Sequence, residues 1–297
     1  GIRPLVMGKI GDATVFASET VALDVVGADF VREVEPGEII EVRADGRMTS
    51  HRPFGNVAAR PCIFEHVYFS RPDSVMGGQS VYEVRKRIGM ELAKEAPVEA
   101  DLVIPVPDSG VPAAIGYAQE SGIPFELGII RSHYVGRTFI QPSDGARHAD
   151  VKRKHNANRA LVEGKRIVLI DDSIVRGTTS MKIVQMMRDA GAAEVHMRVA
   201  SPPTMHSCYY GVDTPERNKL LAARMDIQEM TKFIVADSLS FVSINGLYRA
   251  VGEPSRNAAC PQHCDACFTG EYPTSLTDLA EREAATDQLP LPVGQVA

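Results

Sequence analysis

The order of apolar and polar positions predicts an α/β protein. Apolar residues recur at helical spacing over 79–95, and the segments 111–121 and 179–190 are also predicted to be helices. The apolar runs "DLVIPVP", "FELGII", "RIVLID" and "EVHMRVA" lie between or beside these helices and are typical of buried strands. This alternation favours parallel strands joined by crossover helices.

The pattern divides the chain into five segments. Residues 1–45 contain the short β-like runs "LVMGKI", "ATVFAS" and "EIIEVR", separated by turn signals. Residues 46–78 show little regular period and are treated as a connecting segment. The alternating region covers 79–255, a cysteine-rich segment covers 256–275, and the polar residues 276–297 are expected to form a flexible tail.

Composition excludes some classes of protein. The chain has 297 residues, of which 44% are hydrophobic, and a formal net charge of −6. An acidic balance argues against a nucleic-acid-binding surface. There is no apolar run long enough to span a membrane and no signal peptide, so we expect a cytoplasmic protein with no membrane partner. The chain begins with Gly1 rather than Met, which suggests a segment of a longer protein.

The stretch "VLIDDSIVRGTTS", residues 168–180, has the features of a ligand site. Asp171 and Asp172 end a predicted strand, where open parallel sheets bind ligands. Gly177 lets the backbone approach a ligand, and the N–H groups that follow begin a helix beside the hydroxyls of 178–180. This end of the motif suits a phosphate, whereas the carboxylates suit ribose hydroxyls or a divalent cation.

A second turn, "PVPDSG" at 105–110, also joins a predicted strand to a predicted helix. Both turns have a purely structural alternative, in which a side chain caps the helix. The caps would be Asp172 or Ser173 in the first turn and Asp108 or Ser109 in the second.

A long basic segment, "RSHYVGRTFIQPSDGARHADVKRKHN", follows the second turn in an otherwise acidic protein. A loop of this length inside a compact domain is usually functional, and a basic lid would neutralise an anionic ligand. For Arg147 we prefer a solvated surface position. The basic residues are Arg131, Arg137, Arg147, Lys152, Arg153 and Lys154.

The five cysteines do not suggest a disulfide framework, because their number is odd and the chain has no secretion signal. "CDAC" has a spacing that binds metal or undergoes redox chemistry. Zinc bound by Cys260, His263, Cys264 and Cys267 is one alternative, although these residues are crowded. Unlinked buried thiols are another.

These motifs resemble those of a known family. "VLIDDSIVRGTTS" resembles the phosphoribosyl pyrophosphate (PRPP) signature of type I phosphoribosyltransferases. "FSRPDS", "VIPVPDSGVPAA", "RSHYVGRTFIQP", "VKRKHN", "SPPTMHSCYYGVDTP" and "CDACFTGEYP" are similar to amidophosphoribosyltransferase, the first enzyme of purine synthesis. The resemblance covers about residues 1–275.

The resemblance implies a type I phosphoribosyltransferase fold, a parallel sheet flanked by helices with a flexible lid, over 79–255. Residues 1–45 resemble the end of an Ntn-hydrolase glutaminase domain without its nucleophile, so ammonia but not glutamine is the expected substrate of this polypeptide. The implied catalytic residues are Asp171, Asp172 and Arg137, and the implied Mg²⁺ ligands are Ser109, Asp171 and Asp172. The implied PRPP-binding residues are Asp108, Ser109, Gly110, Asp171, Asp172, Ser173, Arg176, Gly177, Thr178, Thr179, Ser180 and Lys154.

The resemblance also implies a cofactor and partners. One branch of the family holds a [4Fe–4S] cluster on four cysteines, which correspond to Cys62, Cys208, Cys264 and Cys267, with Cys260 as an extra residue. The implied reaction forms 5-phosphoribosylamine from PRPP and ammonia, which the full enzyme takes from glutamine. Purine nucleotides would act as feedback inhibitors, and a homotetramer is the expected assembly.

Two other functions use similar residues. A purine or pyrimidine salvage phosphoribosyltransferase would share the 171–180 motif, but it has no reason to carry the cluster cysteines. A non-catalytic PRPP-binding regulator would keep the motif and lose turnover, yet neither a DNA-binding segment nor an altered lid is visible. "YVGRTFIQ" favours an enzyme.

Overall fold

The structure is a computed structural model that describes residues 1–132 and 155–277. Among these residues, a π-helical turn covers Glu65–Phe69 and 3₁₀ turns cover Arg217–Lys219 and Leu221–Ala223. The strands are β1 (Val6–Ile10), β2 (Ala13–Ala17), β3 (Asp29–Glu33), β4 (Ile39–Val42), β5 (Met48–His51), β6 (Val75–Met76), β7 (Gln79–Ser80), β8 (Leu102–Pro105), β9 (Ile129–Arg131), β10 (His155–Ala157), β11 (Arg166–Asp171), β12 (Glu194–Val199) and β13 (Ser238–Phe241). The α-helices are α1 (Thr20–Val26), α2 (Val81–Glu95), α3 (Val111–Ser121), α4 (Arg159–Val162), α5 (Thr178–Asp189), α6 (Ile227–Phe233), α7 (Ile244–Ala250) and α8 (Ala266–Thr269).

The central sheet has four parallel strands in the order β13–β12–β11–β8. Helices connect them along the chain, α3 after β8 and α5 after β11. The predicted α/β fold with a parallel sheet is therefore confirmed. Because β11 lies between β8 and β12, its carboxyl end is near the centre of the sheet edge where ligands bind.

Both faces of the sheet are covered, which explains the continuous apolar runs. Val168 and Ile170 of β11 join a core with helices α2, α3 and α7 on one face. Ile167 and Leu169 alternate with them and join a core with α5 and α6 on the other face. All four side chains are fully buried, so each face of the strand is fixed by its own set of helices.

The first 45 residues include a small antiparallel sheet in the order β2–β1–β3. Helix α1, which the pattern did not predict, packs on this sheet through Leu23 beside Val6 and Ala28. A second element, the hairpin of β4 and β5, spans the predicted boundary at residue 45.

The expectation for "FELGII" is only partly met. Phe125 forms a single bridge with Val103 of β8, a turn follows at Glu126–Gly128, and a strand begins at Ile129. That strand, β9, pairs antiparallel with β10 rather than joining the central sheet. The turn interrupts the ladder, because the N–H of Gly128 bonds to the carbonyl of Glu126.

Candidate active site

Two adjacent carboxyl groups end the central strand β11. Asp171 and Asp172 are 7% and 6% exposed. The N–H of Asp172 donates to Oδ1 of Asp171 at 3.0 Å, and the hydroxyl of Ser173 donates to Oδ2 of Asp172 at 2.7 Å. Burial, and then the charge of Asp172, raise the pKa of Asp171 well above its ordinary value. The pair therefore concentrates negative charge that a cation or hydroxyl donors would stabilise.

The loop after the acid pair leads directly into the first turn of α5. Its N-cap is Gly177, with φ of +75° and no side-chain cap. A Cβ at this glycine would lie 2.6 Å from Cδ2 of Leu221 and 3.0 Å from the ring of Phe233, so only glycine fits. The capping alternative for Asp172 or Ser173 is therefore wrong. The first N–H groups of a helix have no partner within the helix, so they remain able to bind an anion.

The second loop, 105–110, packs against the end of the same strand. The N–H of Val106 donates to the carbonyl of Ile170 at 2.8 Å. Gly110 is the N-cap of α3, again without a side-chain cap, so Asp108 and Ser109 do not cap this helix. A Cβ at Gly110 would lie 2.3 Å from the carbonyl oxygen of Ile170. The close approach fixes this loop beside the acid pair.

One cleft of about 870 Å³ lies between the two loops. Asp108 does not line it, because its exposed carboxylate forms an ion pair with Arg131, and Gly110 lies in the packed backbone beneath it. Arg137 and Lys154 lie outside the described residues, as do Arg147, Lys152 and Arg153 of the predicted lid. The predicted residues that line the cleft are Ser109, Asp171, Asp172, Ser173, Arg176, Gly177, Thr178, Thr179 and Ser180.

Sequence reasoning missed one wall of the cleft, which consists of aromatic rings. Phe64, Tyr68 and Phe69 come from the π-helical turn and the residue before it. The guanidinium of Arg3 lies over the ring of Phe69, 4.4 Å from its centroid. Buried Arg85 donates to the carbonyls at both ends of the turn, of His66 at 2.8 Å and of Ser70 at 2.6 Å. The signals of this wall in the sequence were the aromatic run "EHVYF" and the motif "FSRPDS", which begins at Phe69.

The cleft also contains cationic and acidic side chains that the sequence did not identify. Lys182 and His155 line it, as does the segment 212–215, which includes Asp213. The segment 212–215 follows β12 and is far in sequence from the loop 105–110 and from the loop that leads into α5. Only tertiary structure brings it to the cleft.

Four of the five cysteines line a second cavity. Cys62, Cys208, Cys264 and Cys267 surround it with largely apolar neighbours, and none of them forms a disulfide. Cys260 is exposed and does not line this cavity. The arrangement of thiols therefore differs from the zinc alternative, which requires Cys260.

Three thiols of this cavity, those of Cys62, Cys264 and Cys267, lie where burial disfavours the thiolate. The N–H of Tyr210 donates to Sγ of Cys208 at 3.3 Å. Burial raises the pKa of Cys62 to about 12 and also raises the pKa of Cys264 and of Cys267. Free thiols here would stay neutral, so thiolates require a cationic group between them.

The cysteine cavity and the cleft share a wall. Phe64, Val175, Val212 and Thr214 line both spaces. Val175 belongs to the loop after the acid pair, and its carbonyl accepts from the N–H of Leu221 at 2.8 Å. A group that fills the cysteine cavity would therefore press on the same side chains that bound the cleft.

Within residues 1–132 and 155–277, no group of three or more His, Cys, Asp or Glu side chains is arranged to hold a metal ion. No helix in these residues is long and apolar enough to cross a membrane.

Comparisons with known proteins agree with the fold and the cleft. The family described as phosphoribosyl transferase domain matches residues 79–211. Amidophosphoribosyltransferase of Rhizobium etli is 61% identical over 283 residues, which are 94% of this chain and 57% of that protein. The amidophosphoribosyltransferase of Bacillus subtilis is 52% identical over 276 residues, 93% of this chain and 58% of that protein. The chain thus spans less than three fifths of these relatives.

A solved structure gives the same result. It is described as glutamine PRPP amidotransferase from B. subtilis complexed with ADP and GMP. It superimposes with a TM-score of 0.84 at 52% identity, covering 93% of this chain and 60% of that one. The parallel sheet and the cleft define a protein of the type I phosphoribosyltransferase class. Within this class, the chain is strongly homologous to amidophosphoribosyltransferases, at 52–61% identity over 93–94% of its length.

Proposed function

We propose that this chain transfers the phosphoribosyl group of PRPP to ammonia and forms 5-phosphoribosylamine and pyrophosphate, the first step of purine synthesis. The observation that carries the proposal is the convergence of the uncapped start of α5, the loop 105–110 and a buried acid pair on one cleft. PRPP has phosphate groups at both ends of a ribose, and the cleft offers anion-binding backbone at two places with acceptors between them.

The loop 176–180 would bind the 5′-phosphate. Its backbone N–H groups open a helix, and the hydroxyls of Thr178, Thr179 and Ser180 lie beside them. Arg176 adds a cation that has no ion-pair partner among the described residues. The loop 105–110 would bind the pyrophosphate through Ser109, which lines the cleft.

The acid pair would hold the ribose hydroxyls and a magnesium ion. Its carboxylates cannot bind phosphate, and the raised pKa of Asp171 reflects a charge that lacks compensation. Ser109 and the two aspartates supply the hard oxygen ligands that Mg²⁺ prefers. When bound, Mg²⁺ would neutralise charge that develops on the departing pyrophosphate.

The reaction requires orientation rather than covalent catalysis by the protein. The two loops hold both ends of PRPP, so that C1 of the ribose stays in position while the bond to pyrophosphate breaks. The aromatic wall formed by Phe64, Tyr68 and Phe69 covers one side of the cleft, and it would limit the access of water that competes with ammonia. Arg137 and Lys154 remain proposed contributors from the predicted lid.

We extend the proposal to the cysteine cavity. Two buried and two half-buried thiols line one cavity, one of them with an N–H donor on sulfur, and four thiolates are the usual ligands of a [4Fe–4S] cluster. Cys62, Cys208, Cys264 and Cys267 would bind it. In the whole protein, glutamine is proposed to supply the ammonia, purine nucleotides to inhibit, and a cytoplasmic homotetramer to be the assembly. The ADP and GMP bound to the B. subtilis relative support the inhibitor class.

The experiment is a comparison of nucleophiles. Pyrophosphate release from PRPP and Mg²⁺ is measured with ammonium at pH above about 8, with no nucleophile, and with free purine and pyrimidine bases. We expect release to depend on ammonia and not on any base. Release that depends on a base would instead identify a salvage transferase, and PRPP binding without any release would identify a non-catalytic regulator.

A further inference from the structure

The cleft contains a third carboxylate, separate from the acid pair. Of the carboxylates in the described part of the chain, Asp171, Asp172 and Asp213 line the cleft. Asp213 lies on the segment that follows β12, whereas the acid pair ends β11. Its side chain is exposed to the cleft and has no hydrogen bond or ion pair within residues 1–132 and 155–277. A carboxylate in this position faces an anionic substrate without a compensating cation.

The backbone on both sides of Asp213 is held in place. The hydroxyl of Thr214 accepts from the N–H of Cys208 at 2.6 Å, and the hydroxyl of Ser207 donates to the carbonyl of Pro215 at 2.9 Å. Val212 packs against the core on the other side. Asp213 therefore stands on a fixed turn, which is the support that an oriented catalytic group needs.

Apart from the imidazole of His155, the other polar groups of the cleft leave one requirement of the reaction unmet. Backbone N–H groups, hydroxyls, Arg176 and Lys182 are donors or cations that suit the phosphates. The acid pair suits the ribose and the metal. The nitrogen nucleophile, in contrast, becomes cationic when it bonds to carbon, and it needs an acceptor that these donors and cations do not provide.

We infer that Asp213 is a catalytic residue that binds the incoming ammonia and takes up its proton; this inference rests on the proposed function. The nitrogen lone pair forms the bond to C1 as the bond from C1 to pyrophosphate breaks, and pyrophosphate leaves with that electron pair. The ammonium group on C1 then gives one proton to the carboxylate of Asp213, and neutral phosphoribosylamine is released. The carboxyl group returns its proton to water.

The test compares Asp213→Asn with Asp213→Glu. We expect Asp213→Asn to lower kcat/KM for ammonia about a hundredfold, as for the loss of a general base, with KM for PRPP changed by less than about threefold. Asp213→Glu, which keeps the carboxylate, should recover part of the loss.

Glu216→Gln is the matched control, since this acid lies on the same segment, pairs with Lys219 and does not line the cleft. Wild-type use of ammonia by Asp213→Asn would overturn the inference and leave the proposed function intact. A large rise in KM for PRPP would overturn it too, by assigning Asp213 to PRPP or its metal. Absence of ammonia-dependent release in the wild-type chain would overturn both.

Discussion

Asp171 is placed where its charge opposes folding. Its hydrogen bond comes from the neighbouring N–H, and both burial and Asp172 raise its pKa above the ordinary value. Ionisation of Asp171 therefore costs free energy in the folded protein but not in the unfolded chain. This cost is absent below about pH 4, where the carboxyl group is protonated in the folded and the unfolded protein. It grows as the pH rises toward the raised pKa of Asp171 in the folded protein.

Asp171→Asn should therefore stabilise the protein and inactivate it. Near pH 7 we expect a higher melting temperature, by about 2–4 °C for each kcal/mol of relieved cost, and near pH 3 no gain. Turnover with PRPP should fall about a hundredfold or more. Thermal unfolding at both pH values measures the first effect, with exposed Asp24→Asn as the control. A variant that is less stable at neutral pH would contradict this account of the acid pair.

The cysteines differ in whether they line the cavity or are exposed to solvent. Cys264 is buried in the cavity, whereas Cys260 is exposed and accepts from Arg60 at 3.5 Å. Under anaerobic purification we expect about four irons per chain and a broad visible absorbance band. Cys264→Ser should lose both signals, and Cys260→Ser should keep them. Bound zinc, or loss of iron in Cys260→Ser, would show that the proposed ligands are wrong.

At the scale of elements, the loop 105–110 depends on its contact with β11. Gly110→Ala would place a methyl group against the carbonyl oxygen of Ile170, and backbone cannot move as a side chain can. We expect a loss of about 1–3 kcal/mol in stability and a rise of at least about tenfold in KM for PRPP. Gln119→Ala, on the exposed face of the same helix, is the control. An unchanged KM would mean that this loop does not bind substrate.

The elements also show what sequence patterns can and cannot predict. The helix at 111–121 and the strand at 166–171 have the predicted bounds, because long apolar runs with turn signals at their ends define both. Helix α1 was missed because it has only seven residues. The aromatic wall and Asp213 were missed for another reason, since contacts between segments distant in the chain bring them to the cleft.

At the scale of the whole molecule, Arg3, which precedes β1, contacts the π-helical turn Glu65–Phe69 that forms one wall of the cleft. Arg3 pairs with buried Glu65 at 2.7 Å and covers the ring of Phe69. Glu65 is 1% exposed, and burial raises its pKa. The segment before β1 is therefore in direct contact with one wall of the cleft.

Arg3→Ala should leave a buried carboxylate without its cation. We expect a loss of about 1–3 kcal/mol at neutral pH, and a smaller loss near pH 4, where protonated Glu65 needs no partner. Adding Glu65→Gln to Arg3→Ala should restore part of the stability. Urea unfolding of the single and double variants measures both effects. Equal losses of stability at both pH values would show that Arg3 stabilises the protein through its contact with Phe69 rather than through the charge of Glu65.

The most direct test of the whole account is to follow the nitrogen atom. The chain is supplied with PRPP, Mg²⁺ and ¹⁵N-ammonium, and the sugar product is trapped and identified by mass spectrometry. We predict one ¹⁵N on the ribose 5-phosphate for each pyrophosphate released. Ribose 5-phosphate without ¹⁵N, in amounts equal to the pyrophosphate, would show that the cleft passes the phosphoribosyl group to water and would contradict the proposed function.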